Sequence, residues 1–153
     1  MKTSTYLKLF LLALACFFAV SQTATAQSDI PMPDVIKKGL ALYEKGGVIV
    51  AFDSWQRGGM LENDSAGAAK LRAFKEMTTA IGNYKSSDVV RVRQISNHSR
   101  LVYFAMNFNR GVIYAKFLIY QTESDWNVQN MVFGSRPETI MPWLALESEN
   151  EGQ

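Results

Sequence analysis

Residues 100–121 read RLVYFAMNFNRGVIYAKFLIYQ. Two alternating apolar stretches flank the break Asn109-Arg110-Gly111. Alternation of this kind is the period of a half-buried strand, whose successive side chains point to opposite faces. The break is too short for a crossover, so the strands it joins, 100–109 and 111–121, are antiparallel neighbours. One shared face carries Val102, Phe104, Met106 and Phe108, then Ile113, Ala115, Phe117 and Ile119.

Working outward, the chain from Asp88 is rich in Val, Ile, Tyr and Phe and predicts two further strands, 88–96 and 126–133. Asn97-His98-Ser99 and the stretch Thr122 to Asp125 supply their turns. On the last strand Trp126, Val128 and Val132 are expected on the shared face, and Asn127, Gln129, Met131 and Phe133 on the other. After Gly134, Arg136-Pro137 and Met141-Pro142 disfavour a long helix or a central strand. Upstream the period is helical. Asp34 is placed to cap a helix whose face is Val35, Ile36, Leu40 and Tyr43, and Gly46-Gly47 interrupts it. Val48, Phe52 and Trp55 predict a second helix that ends at Gly58-Gly59. Leu71, Phe74, Met77 or Thr78, and Ile81 predict a third, over about Ala66 to Ile81, with Gly82 just past its end. Helices first and a meander afterwards is an α+β order: three N-terminal helices on a curved four-stranded antiparallel sheet.

The opposite sheet face is too apolar for solvent. It holds Leu101, Tyr103 and Ala105, then Val112, Tyr114, Leu118 and Tyr120. Two coverings fit equally: the C-terminal segment Ile140 to Leu146 folding back, or a homodimer packed sheet to sheet with Tyr103, Tyr114, Leu118 and Tyr120 as interface candidates.

The N-terminus reads as an export signal. Lys2 and Lys8 precede the unbroken apolar run Leu9 to Val20, and Ala24-Thr25-Ala26 is an A-x-A cleavage site. The run is short against the ~20 apolar residues of a membrane span. The expected divisions are a cleavable signal over 1–26, one α+β roll domain over 27–146 and an acidic tail over 147–153. Cleavage near Ala26 predicts a periplasmic or secreted bacterial protein with no stable membrane anchor. Lipidation at Cys16, which would leave the apolar Phe17-Phe18-Ala19-Val20 at the N-terminus, is a minor alternative. Cys16 is the only cysteine, so the mature chain is expected to have no disulfide, thiol nucleophile or thiolate metal site.

Lys2 and Lys8 account for the net +2 of the whole chain, so the mature protein is formally neutral. That gives no case for nucleic-acid binding. Glu147, Glu149 and Glu151 crowd the end, leaving the domain itself net basic, and this end reads as a solvated tail.

Several stretches carry a resemblance: Ile81-Gly82-Asn83-Tyr84, Ser99 to Phe104, Gly111 to Phe117, and Trp126 opening the last strand before Phe133. Together with the element order they resemble the cystatin-like α+β roll, within it the nuclear transport factor 2-like superfamily, and more narrowly small exported bacterial proteins of uncharacterised function. The resemblance spans most of Asp34 to Pro142. That superfamily contains isomerases, dehydratases, binding modules and dimerisation domains, so the resemblance implies a fold and no single reaction. Its enzymes place an Asp or His base in the cone between sheet and helices. No helix-facing position on the second to fourth strands here carries either.

His98, the only histidine, falls in a predicted turn, where an orienting partner and a pocket rarely coincide. Asp53 reads as an exposed helix residue rather than a pocket acid. Arg91 and Arg93 share a face of the first strand and read as charges that blunt an edge, with anion binding the alternative. Trp55, Phe74, Tyr84, Phe104, Phe117 and Trp126 would cluster if the roll forms, which reads as core; Trp55, Phe74, Phe104 and Phe117 are the candidates for lining an apolar pocket in the cone. No cofactor, metal site or catalytic residue emerges. The sequence points to a non-catalytic domain that binds a small apolar ligand or a protein, as a dimer. The alternative is an isomerase- or dehydratase-type enzyme with a carboxylate base in the cone.

Exported protein is expected to begin at Gln27 by intact mass and to leave a thiol reagent unreacted. A mass that retains residues 1–26, or one titratable thiol, would refute the cleaved-signal reading.

Overall fold

The structure, a computed structural model, describes residues 31–144. Residues 1–26, read from the sequence as an export signal and including Cys16, and residues 147–153, read as an acidic tail, lie outside the described residues, as do Ala145 and Leu146.

Gly47 shapes the helical half. Helix α1 spans Asp34–Gln56, and Gly47 interrupts it with φ 75° and ψ −167°, a backbone region open almost only to glycine. The two helices expected here therefore run as one element with a break. The break is a reversal rather than a gentle bend. In a straight helix, residues 36 and 55 would stand about 28 Å apart. Instead the Trp55 Nε1–H donates to the Ile36 carbonyl at 3.2 Å. Gly39 makes this approach close, because a Cβ there would overlap the Trp55 indole. Val35, Ile36, Leu40 and Tyr43 from one arm and Val48, Ala51, Phe52 and Trp55 from the other all reach the core.

Helix α2 spans Ser65–Ile81. Asp64 caps it by accepting from the Ala66 N–H, and the Gly82 N–H closes it on the Thr78 carbonyl. Its buried line is Gly67, Phe74 and Thr78, with Leu71, Met77 and Ile81 packed at the margin.

Strands β1 (Tyr84–Ser96), β2 (Ser99–Phe108), β3 (Gly111–Gln121) and β4 (Trp126–Gly134) form one antiparallel sheet in sequence order. The chain is thus α+β with an open four-stranded antiparallel sheet. The central pair has unbroken register, from Ser99↔Tyr120 to Phe108↔Gly111. Asn109-Arg110 forms its turn, and Arg110 ties that turn to the end of α2 through the Ile81 and Ala80 carbonyls, both at 3.0 Å.

Two differences from the sequence reading matter. β1 begins at Tyr84 rather than Asp88, because Tyr84 pairs with Phe108 and joins the core. β4 carries a bulge: Leu118 pairs with Asn130 and Ile119 with Val128, so Gln129 is an extra residue. An extra residue exchanges the faces of everything beyond it. Met131 and Phe133, expected on the outer face, therefore point into the core, and Val132, expected inside, lies outside.

The outer face is covered in part by the chain itself. A short helix α3 (Pro137–Ile140) starts on Pro137, where the missing N–H costs nothing, and packs on β3 and β4. Ile140, Met141, Trp143 and Leu144 then cluster with Tyr103, Tyr114, Leu101, Val132 and Val90. The described part of the C-terminal segment thus folds back over the sheet.

Gly47→Ala is expected to destabilise the domain by about 1–3 kcal/mol, since alanine must take a glycine-only conformation. Urea denaturation measures it. An unchanged midpoint would mean the reversal does not depend on that conformation.

Candidate functional site

The cone between helices and sheet is filled by rings. Trp55, Phe74, Phe104 and Phe117 are each 0% exposed. Trp55 meets Phe117 edge-on at 5.2 Å between centroids, and Phe104 meets Phe117 at 5.0 Å. Phe133, turned inward by the bulge, stacks on Phe74 at 4.2 Å and reaches Phe52 at 6.0 Å. The four side chains read as possible pocket lining are brought together, but as core: the rings occupy the space a ligand would need. The sequence reading left Phe133 out of this cluster, because nothing in the alternation of β4 marks Gln129 as the extra residue.

The ionisable groups lie elsewhere. Every Asp and Glu among the described residues is exposed, Asp53 included. The one buried polar side chain among them is Thr78. His98 is exposed in the β1–β2 turn, its ring 6.5 Å from Tyr120. No three His, Cys, Asp or Glu side chains among the described residues are placed to hold a metal ion. No helix among them is long and apolar enough to cross a membrane.

Solvent-open hollows border the core. One of about 400 Å³ lies at the α1 break, lined by Tyr43, Glu44, Gly47, Gly82, Asn83 and Tyr84. Its two phenol rings are 5.2 Å apart. Burial pushes both phenols above the ordinary tyrosine value. A hydrogen bond with Thr78 pulls Tyr43 partly back, while the neighbouring Tyr84 adds to its rise. For Tyr84, Ser87 pulls down, and Glu44 and Asp88 push up.

The outer sheet face divides in two. Toward α3, Tyr103 is buried and meets the Trp143 ring edge-on at 4.6 Å, and Tyr114 belongs to the same cluster. The Arg91 guanidinium lies over Trp143 at 5.1 Å from the ring centroid. Toward the β1–β2 turn the face is bare. Leu118 is half-buried and belongs to neither apolar cluster, Tyr120 is 45% exposed, and Ile95 is 54% exposed. Of the four interface candidates, the structure covers Tyr103 and Tyr114 with the chain's own segment and leaves Leu118 and Tyr120 at the open end. Arg91 and Arg93 are both exposed, opposite Tyr103 and Leu101 on this face. The Arg91–Trp143 contact was not read from the sequence. Its signal was Trp143 in the apolar segment already considered as a cover.

No known protein family, no curated protein and no solved structure matches this chain.

The tyrosine hollow yields a pH expectation. A phenol whose folded pKa lies above its unfolded value of about 10 favours the folded state below that value, and the gain is lost as pH rises through the folded pKa. Ultraviolet titration of the native protein should show phenols ionising later than free tyrosine, and that late component should shrink in Tyr43→Phe and in Tyr84→Phe. A titration with all phenols ionising together at the free-tyrosine value would contradict the burial of this pair.

Proposed function

We propose that the chain is an exported, non-catalytic domain of the nuclear transport factor 2-like roll type that binds protein, and that its partner is a second copy of itself. The observation that carries this reading is the filled cone. With Trp55, Phe74, Phe104, Phe117 and Phe133 packed on one another, recognition falls to the surface. An isomerase- or dehydratase-type mechanism needs a carboxylate facing that cone, and every described carboxylate is exposed. A small apolar ligand needs the volume the rings hold.

What supports the sheet's open end as the contact is its chemistry. Leu118, Tyr120 and Ile95 lie where the strands lose their cover, and an exposed tyrosine beside aliphatic side chains gives large contact area at low entropic cost. The formal neutrality of the mature chain removes the long-range repulsion that opposes self-association. Periplasmic or secreted location, after cleavage near Ala26, belongs to the same proposal.

Sedimentation of residues 27–153 at micromolar concentration tests it. The expected result is a dimer that Tyr120→Glu weakens at least about tenfold, ~1.4 kcal/mol, with the circular dichroism unchanged. A wild-type protein that sediments as a monomer throughout would overturn the self-association reading.

A further inference from the structure

We propose that the hollow at the α1 break, bordered by Glu44 and the paired rings of Tyr43 and Tyr84, is a binding site for a small, free organic ammonium. Both rings pack at the margin of the helix-facing core and neither belongs to the outer-face cluster. The inference is therefore independent of the proposed self-association.

Three observations carry it. The first is an aromatic wall held from behind. The Tyr43 and Tyr84 rings stand 5.2 Å apart, tilted by 54°. Phe108 meets Tyr43 edge-on at 6.1 Å and Tyr84 at 5.8 Å, and Phe74 meets Tyr43 at 6.2 Å. Both tyrosines are half-buried, so packing fixes the rings while part of each stays open to the hollow. Their hydroxyls are engaged within the chain, Tyr43 with Thr78 and Tyr84 with Ser87. What they leave for a ligand is ring surface, whose π-electrons attract a cation.

The second is sign. No lysine or arginine borders the hollow. Glu44 does, exposed and in no ion pair among the described residues. The charges that bear on the Tyr84 phenol are the carboxylates of Glu44 and Asp88, and both oppose its ionisation. Arg110, near Gly82, is directed to the Ala80 carbonyl at 3.0 Å. The local field thus favours a cation over an anion.

The third is room. The hollow holds about 400 Å³, within the range of small-molecule sites. Gly47 and Gly82 border it at φ 75° and 87°, a region that side chains rarely enter. Nothing lies within 4 Å of where a Cβ on Gly47 would stand. The residue that turns α1 back therefore also leaves space beside Tyr43 and Glu44. An ammonium seated there meets the two rings and the Glu44 carboxylate together.

Proton NMR titration of the full mature protein with choline, at constant ionic strength, tests the site through the Tyr43 and Tyr84 ring signals. Saturable shifts of both are expected. The neutral isostere of choline, with a tert-butyl group in place of the trimethylammonium, should bind at least about tenfold more weakly. Glu44→Gln should weaken choline binding about threefold. Tyr84→Phe keeps the ring and should hold affinity within about twofold, while Tyr84→Leu should lose at least about fivefold. Should Tyr84→Leu fail to fold, the neutral isostere and Glu44→Gln decide. Choline that moves neither ring signal would overturn the site, as would a neutral isostere that binds equally well or binding indifferent to Glu44→Gln. The same ammonium heads phosphatidylcholine lipids, so the protein is also spun with phosphatidylcholine vesicles. A free ligand predicts that it stays in solution. Co-sedimentation that Glu44→Gln abolishes would overturn the free-ligand assignment in favour of a lipid head.

Discussion

The Trp55 indole seated on Gly39, with its N–H on the Ile36 carbonyl, is the contact on which the rest of the domain depends. It brings together two ends of a helical element that would otherwise stand about 28 Å apart. Only a glycine at position 47 lets the backbone turn back so abruptly, and only a glycine at 39 lets the ring lie so close. The indole then presents its ring edges and faces to Phe52, Phe74, Phe117 and Phe133. The aromatic core is thus assembled around one hydrogen-bonded, otherwise apolar side chain. Burying the indole N–H without an acceptor would cost about 1–3 kcal/mol, so the Ile36 carbonyl is part of the packing rather than an addition to it.

From this contact follows the division of labour in the molecule. A cone closed by aromatic rings is a source of stability and a poor place for a ligand. The sheet's outer face is then the surface on which the proposed recognition falls. The chain covers part of it with Ile140, Met141, Trp143 and Leu144, and the end near the β1–β2 turn leaves Ile95 and Tyr120 exposed. The proposed self-association belongs to this outer face, at its bare apolar end.

Much of this was legible in the chain itself. The unbroken β2–β3 register follows from residues 100–121, because a period of two leaves no freedom about which side chains share a face. Gly46-Gly47 marked the interruption of the first helix, though local signals say nothing of how sharply the two arms close. Gln129 was illegible: a bulge is set by what the partner strand offers, and Trp126 to Phe133 alternates well enough in either phase. That single residue moved Met131 and Phe133 inward and Val132 outward, and it supplied the last ring of the core. The four candidate pocket residues were correctly grouped in space, while the choice between core and lining rests on volume, which no sequence pattern carries. Among the interface candidates, composition could not separate Tyr103 from Tyr120, because cover depends on how far the C-terminal segment travels.

The central claim is that the cone is solid and recognition lies outside it. Titration of the native mature protein with an apolar fluorescent probe, followed through tryptophan emission, tests this directly. The account predicts no saturable binding and no quenching of the buried Trp55. Saturable one-to-one binding that quenches Trp55, and that is lost in a variant filling the cone further such as Ala115→Leu, would contradict it.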